Sequence, residues 1–194
     1  MIEVFTDGGA HNNEGPNKGI GGWGVVILKD GNELTRLSGG AKGTTNNRME
    51  LLALLYAIKY LLENNLSAEE ITIQSDSQYI QNTVTTWMYG WAKKGWKTAD
   101  GSPVKNLDLV QILYDLYPKL NVKEYKWVKG HAGHKWNEVC DDLATQEQHK
   151  LMGLEPVDNT NSIVETDPTY AFLNAMTKQE IIKYVMSKGF KVAF

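Results

Sequence analysis

Cysteine, long apolar runs and basic charge are all scarce in this sequence. Its single cysteine, Cys140, excludes an internal disulfide and suits a reducing cytosol. No apolar run approaches the roughly 20 residues needed to cross a membrane. Glu3 and Asp7 interrupt the start of the chain, so residues 1–28 do not resemble a secretory signal. We therefore expect a cytoplasmic protein without membrane contact.

The low basic content also limits how the chain can bind acidic partners. The formal net charge is −3 over 194 residues. Nucleic-acid binders usually carry excess positive charge, so any basic surface here must be local. A hydrophobic content of 42% is sufficient for one domain with its own core and some additional chain, but two domains would be cramped.

Hydrophobic periodicity predicts alternating strands and helices. The predicted strands are residues 2–5, 22–28, 33–39, 71–74 and 122–128. The predicted helices are residues 50–64, 80–88, 106–116 and 137–148, with an exposed Trp-, Lys- and Gly-rich element at 91–105. This order predicts an α/β fold in which helices cover a mixed sheet.

The end of the chain has a different pattern. Residues 150–166 mix Gly, Pro, Asn and Asp at no clear period and are predicted to be a linker. Helix-start signals at 167–168 and 177–180 predict two short helices within 167–194. Such short helices need a packing partner. We favour packing as the role of this extension over phosphate binding by its lysines.

Two aspartates follow predicted strands. Asp7 is placed at the carboxyl end of the first strand and Asp76 at that of the fourth. If these strands are neighbours, both carboxylates lie close together and repel unless a cation is present. Hard divalent cations such as Mg²⁺ prefer oxygen ligands. Glu50, which opens the long predicted helix, is a further candidate.

Each acid also has a simpler interpretation when taken alone. Asp7 before Gly8 is typical of a turn, Glu50 suits a helix dipole, and Asp76 is a plausible helix N-cap. In the last predicted helix, residues 141 and 142 are both aspartates and flank its inner face about equally. Helix geometry does not choose between them.

Several motifs in order make the combination specific. They are Thr6-Asp7-Gly8, Asn46-Asn47-Arg48-Met49-Glu50-Leu51, Ser75-Asp76-Ser77-Gln78-Tyr79, Trp127-Val128-Lys129-Gly130-His131-Ala132-Gly133-His134 and Cys140-Asp141. Together they resemble the type 1 ribonuclease H family, especially its bacterial branch, over about residues 1–149. The resemblance implies a ribonuclease H-like fold with a mixed five-stranded sheet flanked by helices. We expect the domain at 1–149, the linker at 150–166 and a C-terminal extension of two short helices at 167–194.

The resemblance also implies a chemistry and its catalytic residues. Asp7, Glu50, Asp76 and Asp141 would be the metal ligands, which resolves the choice against Asp142. Two Mg²⁺ ions are expected, with Mn²⁺ as a possible substitute. The implied reaction is hydrolysis of the RNA strand of an RNA–DNA hybrid, leaving 5′-phosphate and 3′-hydroxyl ends.

Histidines next to these acids have different expected roles. By resemblance, His131 is a mobile catalytic histidine that assists proton transfer or product release, although alone it would be read as a solvated loop residue. His134 is interpreted as a helix-start residue. Glu138, rather than a histidine, stands four positions later, so a zinc pair is not indicated.

Candidate substrate contacts come from the same resemblance. Asn46 and Asn47 are expected in the minor groove, where the 2′-hydroxyl distinguishes RNA from DNA; helix capping by Asn47 is the alternative. Further candidates are Asn13 and Gln78, followed by the aromatic–basic cluster of Trp87, Trp91, Lys93, Lys94, Trp96 and Lys97. We expect the tryptophans to pack as well, and the lysines to contact phosphates. Ala92 and 100–102 depart from a denser basic pattern, which weakens the expected grip.

Two competing functions remain open from the sequence. One is another nuclease or strand-transfer enzyme on the same fold, such as an integrase-like protein. The other is a hybrid-binding module without turnover, although such a module has no need of four converging acids. We expect a monomer whose partner is an RNA–DNA hybrid; a partner for the tail is left unidentified.

Overall fold

A computed structural model of the chain describes residues 1–12, 14–130, 133–154 and, for the backbone only, 163–165. The strands in these segments are β1 (Ile2–Ala10), β2 (Gly21–Lys29), β3 (Asn32–Ala41), β4 (Ile71–Ser75), β5 (Val122–Trp127) and β6 (Ile163–Glu165). The α-helices are α1 (Asn46–Glu63), α2 (Gln78–Asn82), α3 (Met88–Lys93), α4 (Leu107–Leu116) and α5 (Lys135–Met152). A π-helical turn at Thr83–Trp87 joins α2 to α3.

These strands form one mixed sheet in the order β5-β4-β1-β2-β3-β6. β1, β2 and β3 pair antiparallel, whereas β4 pairs parallel with both β1 and β5. The mixed sheet with flanking helices confirms the predicted α/β architecture. The parallel β1–β4 pair matters most for function, because the carboxyl ends of both strands meet at one edge.

Apolar side chains cover both faces of the sheet. On one face α1 packs its buried stripe against the strands, and Trp23 of β2 stacks on Tyr56 with ring centroids 4.5 Å apart. On the other face a smaller cluster of Phe5, Val26 and Leu28 packs against Cys140 of α5. The sheet is therefore held between α1 and α5, and both helices carry acids toward it.

The edge of the sheet carries one strand beyond the five predicted. The predicted five-stranded sheet is confirmed as β1–β5, and β6 adds to it by pairing parallel with residues 39–41 of β3. β6 lies inside residues 150–166, the segment predicted as a linker. The predicted helices of 167–194 lie outside the described residues.

Helix and strand ends also differ from the prediction. β1 continues through Thr6–Ala10 because these residues pair with β2, so the Gly8-Gly9 sequence is strand rather than turn. α1 begins at Asn46 instead of residue 50, and α5 continues to Met152 instead of 148. None of the helices in the described segments has both the length and the apolar character to cross a bilayer.

Candidate active site

The first two acids occupy matching positions on neighbouring strands. Phe5 of β1 is paired with Gln74 of β4 in parallel register, and Asp7 and Asp76 each lie two residues beyond that pair. Asp7 lies within β1 rather than after it, opposite Gly24 of β2. Asp76 directly follows β4. Parallel pairing therefore brings both carboxylates to one edge, as expected if the strands are neighbours.

The simpler interpretation of Asp76 does not hold. The N-cap of α2 is Ser77, whose hydroxyl accepts a hydrogen bond from Ile80 N at 3.3 Å. The turn interpretation of Asp7 also fails, because its neighbours continue the strand. The Asp7 carboxylate Oδ1 accepts the N–H of Gly8 at 2.7 Å.

Glu50 reaches the same edge from α1. Thr45 is the N-cap of this helix and accepts from Arg48 N at 3.4 Å, so neither Asn47 capping nor a first-turn position for Glu50 is correct. A Cβ at position 8 would lie 2.5 Å from Glu50 N, so only glycine permits this approach of β1 to α1. Glycine at position 8 therefore allows the backbone of Glu50 to pack closely against β1.

Carboxylate oxygens of Asp7, Glu50 and Asp76 lie within 4.8 Å of one another. Asp7 and Glu50 are buried, and Asp76 is half-buried. Burial raises the pKa of Glu50 well above its ordinary value, and the charges of Asp7 and Asp76 raise it further. Without a counter-charge, three ionised acids at this spacing are unstable.

This donor set fits a divalent cation. Glu50 Oε2 is buried and has no hydrogen-bond partner within the described part of the chain. A buried unsatisfied polar atom is costly, so Glu50 Oε2 beside two further carboxylates is suited to ligate a cation. Oxygen-only ligation favours Mg²⁺ or another hard cation.

Asp141 is not a member of this group of three acids. Among the described residues, the acids within 4.8 Å of one another are Asp7, Glu50 and Asp76. Asp141 follows Cys140 in α5. The thiol of Cys140 donates to Phe5 O at 3.3 Å, and Phe5 lies two residues before Asp7 in β1. Asp141 is half-buried and Asp142 is exposed. This asymmetry distinguishes the two aspartates that helix geometry alone leaves equivalent.

A polar cleft lies beside the N-terminus of α1. Its volume is about 520 Å³, and its lining consists of Asn12, Thr45, Asn46, Asn47, Lys105 and Asn106. Asn46 Oδ1 accepts from Ala10 N at 2.7 Å, which ties the end of β1 to α1. Asn47 is exposed toward solvent. Gln78 is also exposed, at the start of α2 beside Asp76.

The aromatic–basic cluster divides between packing and an open surface. Trp96 packs edge-on against Tyr114 of α4, with centroids 5.3 Å apart. Trp87 and Trp91 contact each other and line a second cleft of about 540 Å³ that includes Lys105. The lysines at positions 93, 94 and 97 are exposed.

Asn106 of the polar cleft and an ion pair of Arg48, which follows Asn47 in α1, were missed by sequence reasoning. Arg48 forms a two-pronged ion pair with Asp108 of α4, at 3.0 and 2.7 Å. Asn106 adopts a left-handed backbone, φ 55°, and its amide donates to Tyr79 Oη at 3.3 Å. Asn is among the non-glycine residues that most readily adopt this conformation. Its sequence signal is its place as the first residue of the predicted helix 106–116.

Two predicted site residues lie outside the described residues. They are His131 and Asn13. Their neighbours are placed: Gly130 contacts the Asp76 carboxylate, and Asn12 lines the polar cleft.

Known proteins resemble this chain over the segment that carries the site. The family model for RNase H matches residues 1–149. A ribonuclease H of Aliivibrio salmonicida is 46% identical over 144 residues, which are 74% of this chain and 85% of that protein. A ribonuclease H of Treponema denticola is 42% identical over 163 residues, covering 78% of this chain and 99% of that protein.

A solved structure is also similar. LC9-RNase H1, a type 1 RNase H with the type 2 active-site motif, has a TM-score of 0.64 and 25% identity. The match covers 94% of this chain and 83% of that one. The family model, the bacterial relatives and the mixed sheet agree with the motifs in the sequence. This chain belongs to the ribonuclease H family, and its bacterial relatives are ribonucleases H.

Proposed function

We propose that this protein is an endonuclease that hydrolyses the RNA strand of RNA–DNA hybrids and leaves 5′-phosphate and 3′-hydroxyl ends. The observation that carries the proposal is the group of Asp7, Glu50 and Asp76, with oxygens within 4.8 Å, in a chain of the ribonuclease H family. The buried oxygen Glu50 Oε2, which has no hydrogen-bond partner among the residues that the structure describes, supports a cation at this place.

The proposed cofactor is a pair of Mg²⁺ ions, with Mn²⁺ as a substitute. When bound, such ions lower the pKa of the attacking water and neutralise charge on the scissile phosphate and the leaving oxygen. Asp7, Glu50 and Asp76 hold the cations, and Asp141 completes the set from α5. His131 is proposed to move a proton or to assist product release.

The polar cleft supports recognition of the hybrid. Asn46 and Asn47 begin the helix that carries Glu50, so a strand bound along these amides lies close to the carboxylates. Amides both donate and accept hydrogen bonds, as a 2′-hydroxyl requires. We propose that Asn13 and Gln78 extend these contacts.

The aromatic–basic cluster supports a grip on the DNA strand. Trp87 and Trp91 provide an open aromatic surface, while Lys93, Lys94 and Lys97 offer positive charge to phosphates. Trp96 acts through packing on Tyr114, which holds the cluster against α4. Because the chain carries a net charge of −3, this local cluster supplies the attraction that the whole molecule lacks.

The cellular setting is part of the proposal. We propose a cytoplasmic monomer, consistent with one buried cysteine that needs no oxidising compartment. The other candidate functions, strand transfer on the same fold and hybrid binding without turnover, are outcomes of the experiment below.

Cleavage of end-labelled substrates tests the function. RNA–DNA hybrid, duplex DNA and duplex RNA are incubated with the full chain in Mg²⁺ and in EDTA. We expect cleavage of the RNA in the hybrid, only with the cation. Asp7→Asn should lower the rate about 100-fold or more while hybrid binding persists, because it removes a cation ligand.

The two neighbouring aspartates provide a matched control. Asp141→Asn should lower cleavage, whereas Asp142→Asn, one residue further on the exposed side of α5, should not. Cleavage or joining of duplex DNA would favour the strand-transfer function. Hybrid binding without cleavage in Mg²⁺ would favour the binding module.

A further inference from the structure

Asp76 is contacted from β5 and the loop that follows it. Ser75 and Trp127 are paired in the parallel β4–β5 ladder, and Val128 N donates to Ser75 O at 3.0 Å. The backbone that leads from β5 into the following loop is therefore hydrogen-bonded to the backbone of β4 just before Asp76. Two further contacts in this region reach Asp76 itself.

The first contact comes from Trp127. Its side chain is 43% exposed, yet its indole Nε1 donates to the backbone oxygen of Asp76 at 2.7 Å. An exposed tryptophan at a sheet edge has little packing to gain, and this hydrogen bond is its specific interaction with the site. It fixes the peptide group at the turn between β4 and α2.

The second contact comes from Gly130. A Cβ at this position would lie closer than 3.0 Å to Asp76 Oδ2 and 3.6 Å from Asp76 Cβ. The φ angle of Gly130 is outside the left-handed range, so any residue can adopt its backbone conformation. Glycine is required here by the approach of the carboxylate, not by the turn.

These contacts act on different parts of one acid. We propose that Trp127 and Gly130 are positioning residues for the cation site. Trp127 fixes the main chain of Asp76, and the absence of a side chain at Gly130 leaves room for its carboxylate beside Asp7 and Glu50. This inference rests on the proposed cation site, but it concerns how the cation-free protein holds Asp76 in position. Groups around metal ligands commonly have such roles.

Cation affinity is the direct test. Mn²⁺ and Mg²⁺ are titrated calorimetrically into the full chain and into Gly130→Ala and Trp127→Phe. Gly130→Ala should weaken binding about 10- to 100-fold, as for other residues that orient a ligand. Trp127→Phe, which removes one hydrogen bond and keeps an aromatic ring, should weaken it about two- to tenfold.

Matched controls separate positioning from general damage. Gly90→Ala places a Cβ where no described atom lies within 4 Å, and Lys126→Ala changes an exposed neighbour of Trp127 on the same strand. Both should bind Mn²⁺ like the parent chain. Circular dichroism and thermal unfolding in EDTA establish that each variant is folded. If Gly130→Ala does not fold, Trp127→Phe decides.

Cleavage at varied cation concentration supplies a second readout. The positioning variants should need more Mg²⁺ for half-maximal cleavage and recover toward the parent rate at high Mg²⁺. Folded variants with unchanged Mn²⁺ affinity and unchanged Mg²⁺ requirement would overturn the inference and leave the proposed function intact. A parent chain that binds Mn²⁺ but does not cleave hybrid would refute the function and leave the inference testable by calorimetry.

Discussion

Glu50 shows how one residue can favour function at the expense of stability. Its carboxylate is buried beside Asp7 and Asp76, and its pKa is raised by burial first and by those two charges second. The folded protein therefore disfavours the ionised form more than the unfolded chain does. At neutral pH without a cation, ionisation of Glu50 lowers the free energy of unfolding.

Replacing this charge should stabilise the cation-free protein. In EDTA at pH 7, Glu50→Gln should raise the free energy of unfolding by on the order of 1 kcal/mol, because like-charge repulsion and desolvation are relieved. Urea unfolding measures the change. The control is Glu70→Gln, an exposed position that should have little effect. A less stable Glu50→Gln protein would contradict the electrostatic account.

Asn47 tests recognition at the same scale. Asn47→Ala should reduce the preference for hybrid over duplex DNA, by about 1–3 kcal/mol at most, since one polar contact is lost. Relative cleavage or binding of the two substrates measures it. Asn64→Ala, at the opposite end of α1, is the matched control. An unchanged preference in Asn47→Ala would remove this residue from the recognition surface.

Individual acids were predictable from the sequence only in combination. Each acid had a simpler interpretation when taken alone. These interpretations were a turn for Asp7, a favourable position in the helix dipole for Glu50 and a helix N-cap for Asp76. In the structure, Thr45 is the N-cap of α1 and Ser77 is the N-cap of α2. Strand β1 continues through Asp7. No local pattern shows that three distant acids approach within 4.8 Å, because that distance is set by sheet pairing and helix packing.

At the scale of elements, α1 and α4 are joined at the polar cleft. Arg48 pairs with Asp108 through both terminal nitrogens of its guanidinium group. Asn106, at the start of α4, donates a hydrogen bond to Tyr79. The side chain of Arg48 is only 20% exposed. Asn47 and Asn106 both line this cleft, so we expect the link to contribute to substrate binding as well as stability.

Breaking the link should weaken substrate binding more than chemistry. Asp108→Asn should lower the free energy of unfolding by on the order of 1–2 kcal/mol, because a charge-assisted pair is lost at a half-buried site. KM for the hybrid should rise with kcat little changed. Arg48→Met and the double variant complete a mutant cycle. Additive effects on KM would show that the two residues do not act as a pair.

Element types were largely predictable, and their ends were not. Periodicity identified α1, β4 and α4 because each has a buried apolar face. β5 was also predicted, although none of its residues is fully buried. β1 was predicted too short because Gly8-Gly9 resembles a turn, whereas glycine there permits contact with α1. The π-helical turn at Thr83–Trp87 breaks the regular helical spacing and had no sequence signal.

At the scale of the whole molecule, α5 and β6 both lie against β3. Leu151 of α5 approaches Gly40, and β6 pairs with residues 39–41. All residues of the described acid group lie before residue 77. Of the residues after α5, those that form β6 contribute to the edge of the sheet.

Removal of the tail should preserve the chemistry. The domain boundary expected from the sequence, after residue 149, falls inside α5, which continues to Met152 and is capped by Gly153. A chain ending at Leu154 should cleave hybrid at close to the full rate and unfold at a slightly lower temperature. A cut after Gln148 removes the last turn and should cost more stability. A folded but inactive chain ending at Leu154 would show that the tail contributes to the site.

The most direct test of the account is the position of bound Mn²⁺. Anomalous diffraction from crystals of the full chain with Mn²⁺ and an RNA–DNA hybrid would locate the cations. We expect two Mn²⁺ ions among the carboxylates of Asp7, Glu50, Asp76 and Asp141, next to a phosphate of the RNA strand. Well-ordered hybrid with no Mn²⁺ at these acids would contradict the central claim.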